Sequence, residues 1–244
     1  MSWFQALILG LLQGLTEFLP VSSSGHLVIA QSLFHLSTPP VVFDILLHLA
    51  TALAIIVVLW KQLISLKPKT IGYILLATIP AGIVGVALNS SIETLFSSVK
   101  LVSLALLFTS GLLFLSQKYF NKANNSTITW KNSLIIGLFQ AVAIIPGVSR
   151  SGSTISAGIF SRLKPKTAFT FSFLLALPAI FGAAILQLKD LKTFSFGTVD
   201  LIGFLAAFFS GLLALKLLRG FVSRGKFTPF SWYCLALGII FFFL

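Results

Sequence analysis

The chain has 244 residues, 57% hydrophobic and 9% charged, with a mean hydropathy of +1.04. A soluble domain carries about 25% charged residues, so this composition excludes a water-soluble enzyme, a disordered chain and a disulfide-stapled secreted domain. The net charge of +12 would suggest nucleic acid on a soluble protein, but no basic stripe interleaved with aromatics is present and nucleic acid is not expected.

In chain order, Met1–Gln5 lacks the positive start of a secretory signal and reads as part of the mature protein. Apolar stretches then run at about 3–19, 22–35, 41–60, 70–89, 99–117, 131–145, 151–162, 166–187, 199–218 and 229–244. A membrane crossing needs roughly 20 residues. Stretches 41–60, 70–89, 99–117, 166–187 and 199–218 meet that length and 229–244 nearly does, which predicts six spanning helices. The stretches 22–35 and 151–162 reach only about 21 Å and about 18 Å as helices. Each follows a Pro/Gly/Ser break, so 3–35 and 131–162 read as re-entrant helical hairpins in an all-α integral membrane protein. Irregular backbone at membrane depth is tolerated where protein or water surrounds it, so the two breaks should line a cavity. Pro80 and Pro178 are expected to kink crossing helices. Trp3, Trp60, Trp130, Trp232 and the Phe241–Phe243 run fit contact with membrane lipids. Cys234, the single cysteine, leaves no intrachain disulfide and no thiolate cage.

Loop charges orient this layout. Of the 17 Lys and Arg, only Lys100, Lys189 and Lys192 fall on the side of the termini, and Arg150 lies in the second break. The remainder crowd the opposite side, which the positive-inside rule makes cytoplasmic. Both termini then lie outside. Two full crossings in place of each hairpin give the same parity, so segment length alone carries the hairpins.

Shifting the sequence by 127 positions superposes Gly10, Leu11, Gln13, Val21, Ser22, Ser24 and Gly25 on Gly137, Leu138, Gln140, Val148, Ser149, Ser151 and Gly152. Three crossings separate the copies, so the second enters from the opposite face. One membrane domain, 1–244, thus contains an inverted-topology repeat, with halves at about 1–118 and 130–244. In such folds sites form near the midplane where broken helices converge.

Each break opens a short helix whose free N–H groups favour an anion, and Ser22, Ser23, Ser24, Ser149, Ser151 and Ser153 add hydroxyl donors. Arg150 offers a permanently charged planar fork suited to phosphate. Glu17 is the only acid within the hairpins, with Gln13 one turn earlier on the same face. One reading is a phosphate site with a divalent cation on Glu17; the other is a structural Glu17–Arg150 ion pair pinning the hairpins together. Asp44 and His48, four apart on one face, either support the site or bond to each other locally.

Glu17-Phe18-Leu19-Pro20-Val21-Ser22-Ser23-Ser24-Gly25-His26 together with Pro146-Gly147-Val148-Ser149-Arg150-Ser151-Gly152 resembles the signature pair of the bacterial undecaprenyl-diphosphate phosphatases, the family also called BacA or UppP. Phe43-Asp44 followed by His48-Leu49 is similar to a third family segment, and the likeness covers the whole chain. It implies a plasma-membrane enzyme that removes one phosphate from a C55 isoprenyl diphosphate, dependence on Mg²⁺ or Ca²⁺, and bacitracin resistance on overproduction. Its product would be the monophosphate carrier used for peptidoglycan. The sequence departs from the family at Gln13, where glutamate is frequent, and in being short. On this resemblance Ser23 is the expected nucleophile, with a metal-activated water as the competing one, Glu17 the base or metal ligand, and His26 a proton relay to Ser23. Arg150, Ser22, Ser149, Ser151, Gly152 and Thr154 would bind phosphate, with Gln13, Asp44 and His48 in support. A transporter or flippase for an anionic isoprenyl lipid is the alternative, since broken inverted repeats also build transporters.

Overall fold

The structure, a computed structural model, describes residues 1–36, 41–87, 98–187 and 196–243; Lys189, Lys192, residues 88–89 and Leu244 lie outside them. Helix α1, Trp3–Phe18, begins at a capping box in which Ser2 and Gln5 exchange side-chain and backbone hydrogen bonds. It stops where Leu19 turns extended before Pro20. α2, Ser23–Leu33, follows the first break. Then come α3, Val41–Val58, a short α4, Trp60–Ile64, α5, Pro68–Ala87, and α6, Val99–Gln117. In the second half α7, Trp130–Val142, starts at a Thr129–Asn132 capping box, and α8, Arg150–Phe160, follows the second break. α9, Pro165–Leu186, α10, Thr198–Ser223, and α11, Thr228–Phe243, complete the chain.

Among the described residues, α3, α5, α6, α9 and α10 are long and apolar enough to cross a membrane. This is one fewer than the six expected: α11 has 16 residues, about 24 Å of helix. Helix boundaries shift by a few residues from the sequence reading, most at two places. The stretch 41–60 is interrupted at Leu59, after which α4 starts. α10 continues through Lys216 and Arg219 to Ser223, because long basic side chains can cover apolar surface while lifting their charge to water. Pro80 and Pro178 sit inside continuous α5 and α9.

α1 packs along α10, α7 along α5, α6 along α11, and α3 against both α9 and α10. Small residues permit the closest of these contacts. Gly10 and Gly14 press on Gly203, Ala207 and Gly211 of α10, and Gly137 presses on Ala77 of α5. Phe18, Phe171, Phe173, Leu106 and Ile155 fill the interior, whereas all four tryptophans are more than half exposed.

A Cβ at Gly14 would collide with Ser210 Oγ, the Ala207 carbonyl and the Gly211 nitrogen, and the last two cannot swing aside. Gly14→Ala is expected to destabilise the protein by about 1–3 kcal/mol, read as thermal unfolding in detergent. Gly182→Ala on α9, where a Cβ meets nothing within 4 Å, should not lower the transition.

Candidate active site

Both breaks are held by specific backbone chemistry. In the first, Val21 N–H donates to the Leu19 carbonyl at 2.7 Å, and Ser22 takes a left-handed φ of 68°. In the second the left-handed residue is Gly147, φ 96°, where a Cβ would collide with the Val102 carbonyl and Ala105 of α6, so only glycine fits. Thr109 in mid-α6 braces this turn, donating to the Gly147 carbonyl at 2.9 Å and accepting from Ser149 N–H at 3.1 Å.

The two short helices then start alike. Ser22 Oγ accepts from Gly25 N–H at 3.3 Å, and Ser149 Oγ from Gly152 N–H at 3.1 Å. The breaks touch one another: Ser151 Oγ donates to the Leu19 carbonyl at 3.2 Å, and Cβ positions built on Gly25 and Gly152 come within 3.2 Å of Gly147 Cα and Pro20 Cβ.

Glu17 at the end of α1 is the centre of this meeting. Its Oε1 accepts from Arg150 Nη2 at 2.5 Å. Its Oε2 accepts from Ser23 Oγ at 2.6 Å and from Gln13 Nε2 at 3.1 Å, with His48 Nε2 3.7 Å away. Ser23 and Arg150 are the first residues of α2 and α8 and correspond in the 127-residue repeat. One from each half therefore holds each oxygen of a single buried carboxylate. Arg150 Nη1 makes no hydrogen bond among the described residues, and its guanidinium lies 5.9 Å over the Phe173 ring.

A cavity of about 670 Å³ opens beside these groups. Glu17, Ser22, Ser23, Ser24, Asp44, His48, Ser149 and Arg150 supply its polar side, and Ile144, Ala179, Ile180, Ala183 and Ala184 an apolar wall. Gln13 stands behind Glu17, fully buried. His48 Nδ1 donates to the Asp44 carbonyl at 2.8 Å, and Gln31 Nε2 donates to both Asp44 carboxylate oxygens at 3.0 Å.

Other expected residues are turned away from the cavity. The Gly152 N–H is already used by Ser149, and Ser151 is committed to the Leu19 carbonyl. Thr154 Oγ1 donates to the Arg150 carbonyl at 2.8 Å and lies 2.6 Å from Ser172 Oγ. His26 differs most from expectation. Its ring meets the Ser22 carbonyl and the Tyr233 hydroxyl, and it makes no hydrogen bond to Ser23 among the described residues. Gln31, Thr109, Phe173 and Tyr233 escape the sequence reading. Gln31, a buried amide in a short apolar helix, is the one that composition could have flagged.

Among the described residues no three His, Cys, Asp or Glu side chains gather closely enough to cage a metal ion. Glu17 and Asp44 nevertheless line one cavity. Two carboxylates suit a hard cation that takes its remaining oxygens from a phosphate group and water, which is how Mg²⁺ commonly binds beside diphosphates.

The family described as "Bacitracin resistance protein BacA" matches residues 6–240. The chain belongs to the BacA family. The matched range of this BacA-family protein takes in both breaks and every residue of the cavity. It is 42% identical over 248 residues to a protein named "Undecaprenyl-diphosphatase" from Thermosipho africanus, with 98% of each chain covered. It is 40% identical to proteins of the same name from Halothermothrix orenii and Bacteroides fragilis, each alignment covering 98% of this chain and 97% of the relative.

Proposed function

We propose that the protein hydrolyses undecaprenyl diphosphate to undecaprenyl phosphate and inorganic phosphate, recycling the lipid carrier for peptidoglycan synthesis and conferring bacitracin resistance. The observation that carries this reading is the Glu17 carboxylate held between Ser23 and Arg150 in a cavity with an apolar wall. Membership of the BacA family and the relatives' name support the same substrate.

Phosphoryl transfer depends mainly on positioning and charge stabilisation. In this reading the terminal phosphate lies against Arg150, Ser149 and Ser22, and the isoprenyl chain runs out along Ile144, Ala179 and Ala183. Ser23 Oγ attacks the terminal phosphorus while its proton passes to Glu17, 2.6 Å away. The bridging P–O bond breaks, and undecaprenyl phosphate leaves with that proton. Water then cleaves the Oγ–P bond, giving its proton to Glu17, which returns one to Ser23 as inorganic phosphate departs. Arg150 offsets the charge on the equatorial oxygens in both steps. Asp44 and His48 support the polar wall. A divalent cation, Mg²⁺ or Ca²⁺, held by Glu17, Asp44 and the diphosphate oxygens would neutralise headgroup charge.

The fold we read is six crossings plus two re-entrant hairpins in an inverted repeat. Exchanged packing supports it. α1 of the first half lies on α10 of the second, α7 of the second lies on α5 of the first, and α6–α11 and α3–α9 pair as counterparts. Gly10 and Gly137, which correspond in the repeat, both sit at the exchanged contacts. The cavity is bordered by the start of α3 and the end of α9, while Lys61 lies just past the end of α3, and Arg162, Lys164 and Lys166 lie just before or in the first turn of α9. The positive-inside rule then puts the cavity and both termini outside a bacterial plasma membrane.

Purified in detergent, the protein should release inorganic phosphate from undecaprenyl diphosphate, and a chelator should slow it. Whole cells should cleave an impermeant diphosphate ester. No release by purified protein would overturn the phosphatase reading in favour of a transporter for the same class of lipid.

A further inference from the structure

Tyr233 lies on α11, 207 positions along the chain from His26, yet its hydroxyl is 2.7 Å from His26 Nε2. The two rings stack with an interplanar angle of 2° and centroids 5.6 Å apart. On the other side of the imidazole, Nδ1 is 2.7 Å from the Ser22 carbonyl oxygen. A carbonyl only accepts, so Nδ1 carries the proton. In the neutral ring Nε2 is then the acceptor and the Tyr233 O–H donates.

This chain of two hydrogen bonds ends on the residue with the left-handed backbone. Serine rarely adopts a φ of 68°, and such a conformation persists only where its surroundings hold it. The Ser22 carbonyl accepts twice, from the His26 ring and from the His26 backbone N–H at 3.3 Å. The next residue is Ser23, with its Oγ on Glu17. Neither Tyr233 nor His26 lines the cavity.

The geometry points to Tyr233 as a positioning residue that acts through His26: it fixes the Ser22 peptide and thereby aims Ser23 Oγ at Glu17, without touching substrate. The inference rests on the reading of Ser23 as nucleophile. It also gives His26 a task other than proton relay, because both ring nitrogens are engaged away from Ser23.

Tyr233→Phe keeps the ring and its stacking and removes one donor. With undecaprenyl diphosphate in detergent, kcat should fall about five- to tenfold, the scale of one hydrogen bond, with KM unchanged and the protein still folded at the assay temperature. His26→Asn retains a donor able to reach the Ser22 carbonyl and should keep more activity than His26→Gln. In the His26→Asn background Tyr233→Phe should change nothing further, since the link is already cut. Nitrogen-15 spectra of the substrate-free protein should show His26 protonated at Nδ1, with an Nε2 resonance that moves in Tyr233→Phe. A wild-type kcat in Tyr233→Phe, additive losses in the double variant, or an unmoved Nε2 resonance would overturn the inference. A wild-type protein that releases no phosphate overturns the phosphatase reading instead, and the spectra still test the Tyr233–His26 link.

Discussion

Arg150→Ala should lower phosphate release by about a thousandfold or more, the scale on which an arginine stabilises phosphoryl transfer. Its Nη2 is occupied by Glu17 and its buried Nη1 makes no bond among the described residues, so the guanidinium has donor capacity to spare for phosphate oxygens once it turns toward the cavity it lines. Arg150→Lys should remain severely impaired, because a point-charge ammonium lacks the planar fork that grips two phosphate oxygens at once. Near-normal turnover in Arg150→Lys would count against bidentate binding. Arg150→Ala also leaves the Glu17 charge buried without its cation, a loss of about 3–5 kcal/mol where no water replaces it. Thermal unfolding must therefore be followed beside turnover; a catalytic loss in Arg150→Lys at unchanged stability separates the two effects.

Ser23→Ala is the second large effect, with turnover expected to drop by about a thousandfold or more. Acid quenching of the wild type during turnover should trap phosphate on serine, and Ser23→Ala should trap none. Glu17→Gln offers a complementary test. The amide has nearly the same shape as the carboxylate but cannot take the Ser23 proton, so the same block is expected. A fully active Ser23→Ala would remove serine as nucleophile and leave a cavity water in that role.

What the sequence reveals here is local chemistry. Pro20 stops α1, Gly147 supplies a left-handed turn, and serines cap α2 and α8; each is a matter of neighbours a few residues apart, so each break is legible. The matching pentapeptides also point to Ser22 and Ser149, Ser23 and Arg150 as corresponding positions. Local patterns fail where partners are distant. Thr109 reads as an ordinary small polar residue within an apolar helix until it is seen bracing Gly147, 38 residues on. Tyr233 and His26 are joined only through packing of the last helix against the first break. Free N–H groups at the start of α8 are the reverse case: helix geometry offers them, but the Ser149 cap has already taken that of Gly152.

At rest the Glu17–Arg150 pair is self-neutralised, and this bears on which headgroups gain admission. Surrounding phospholipids vastly outnumber any isoprenyl carrier. A phosphodiester with a single negative charge offers the guanidinium no more than the carboxylate already does, and so has little power to displace it. A diphosphate ester brings several charges and two phosphoryl groups, enough to draw the arginine away and leave Glu17 available for proton transfer. On the proposed reading of the site, the closed pair would act as a threshold, rejecting the abundant lipid by charge before any chemistry begins.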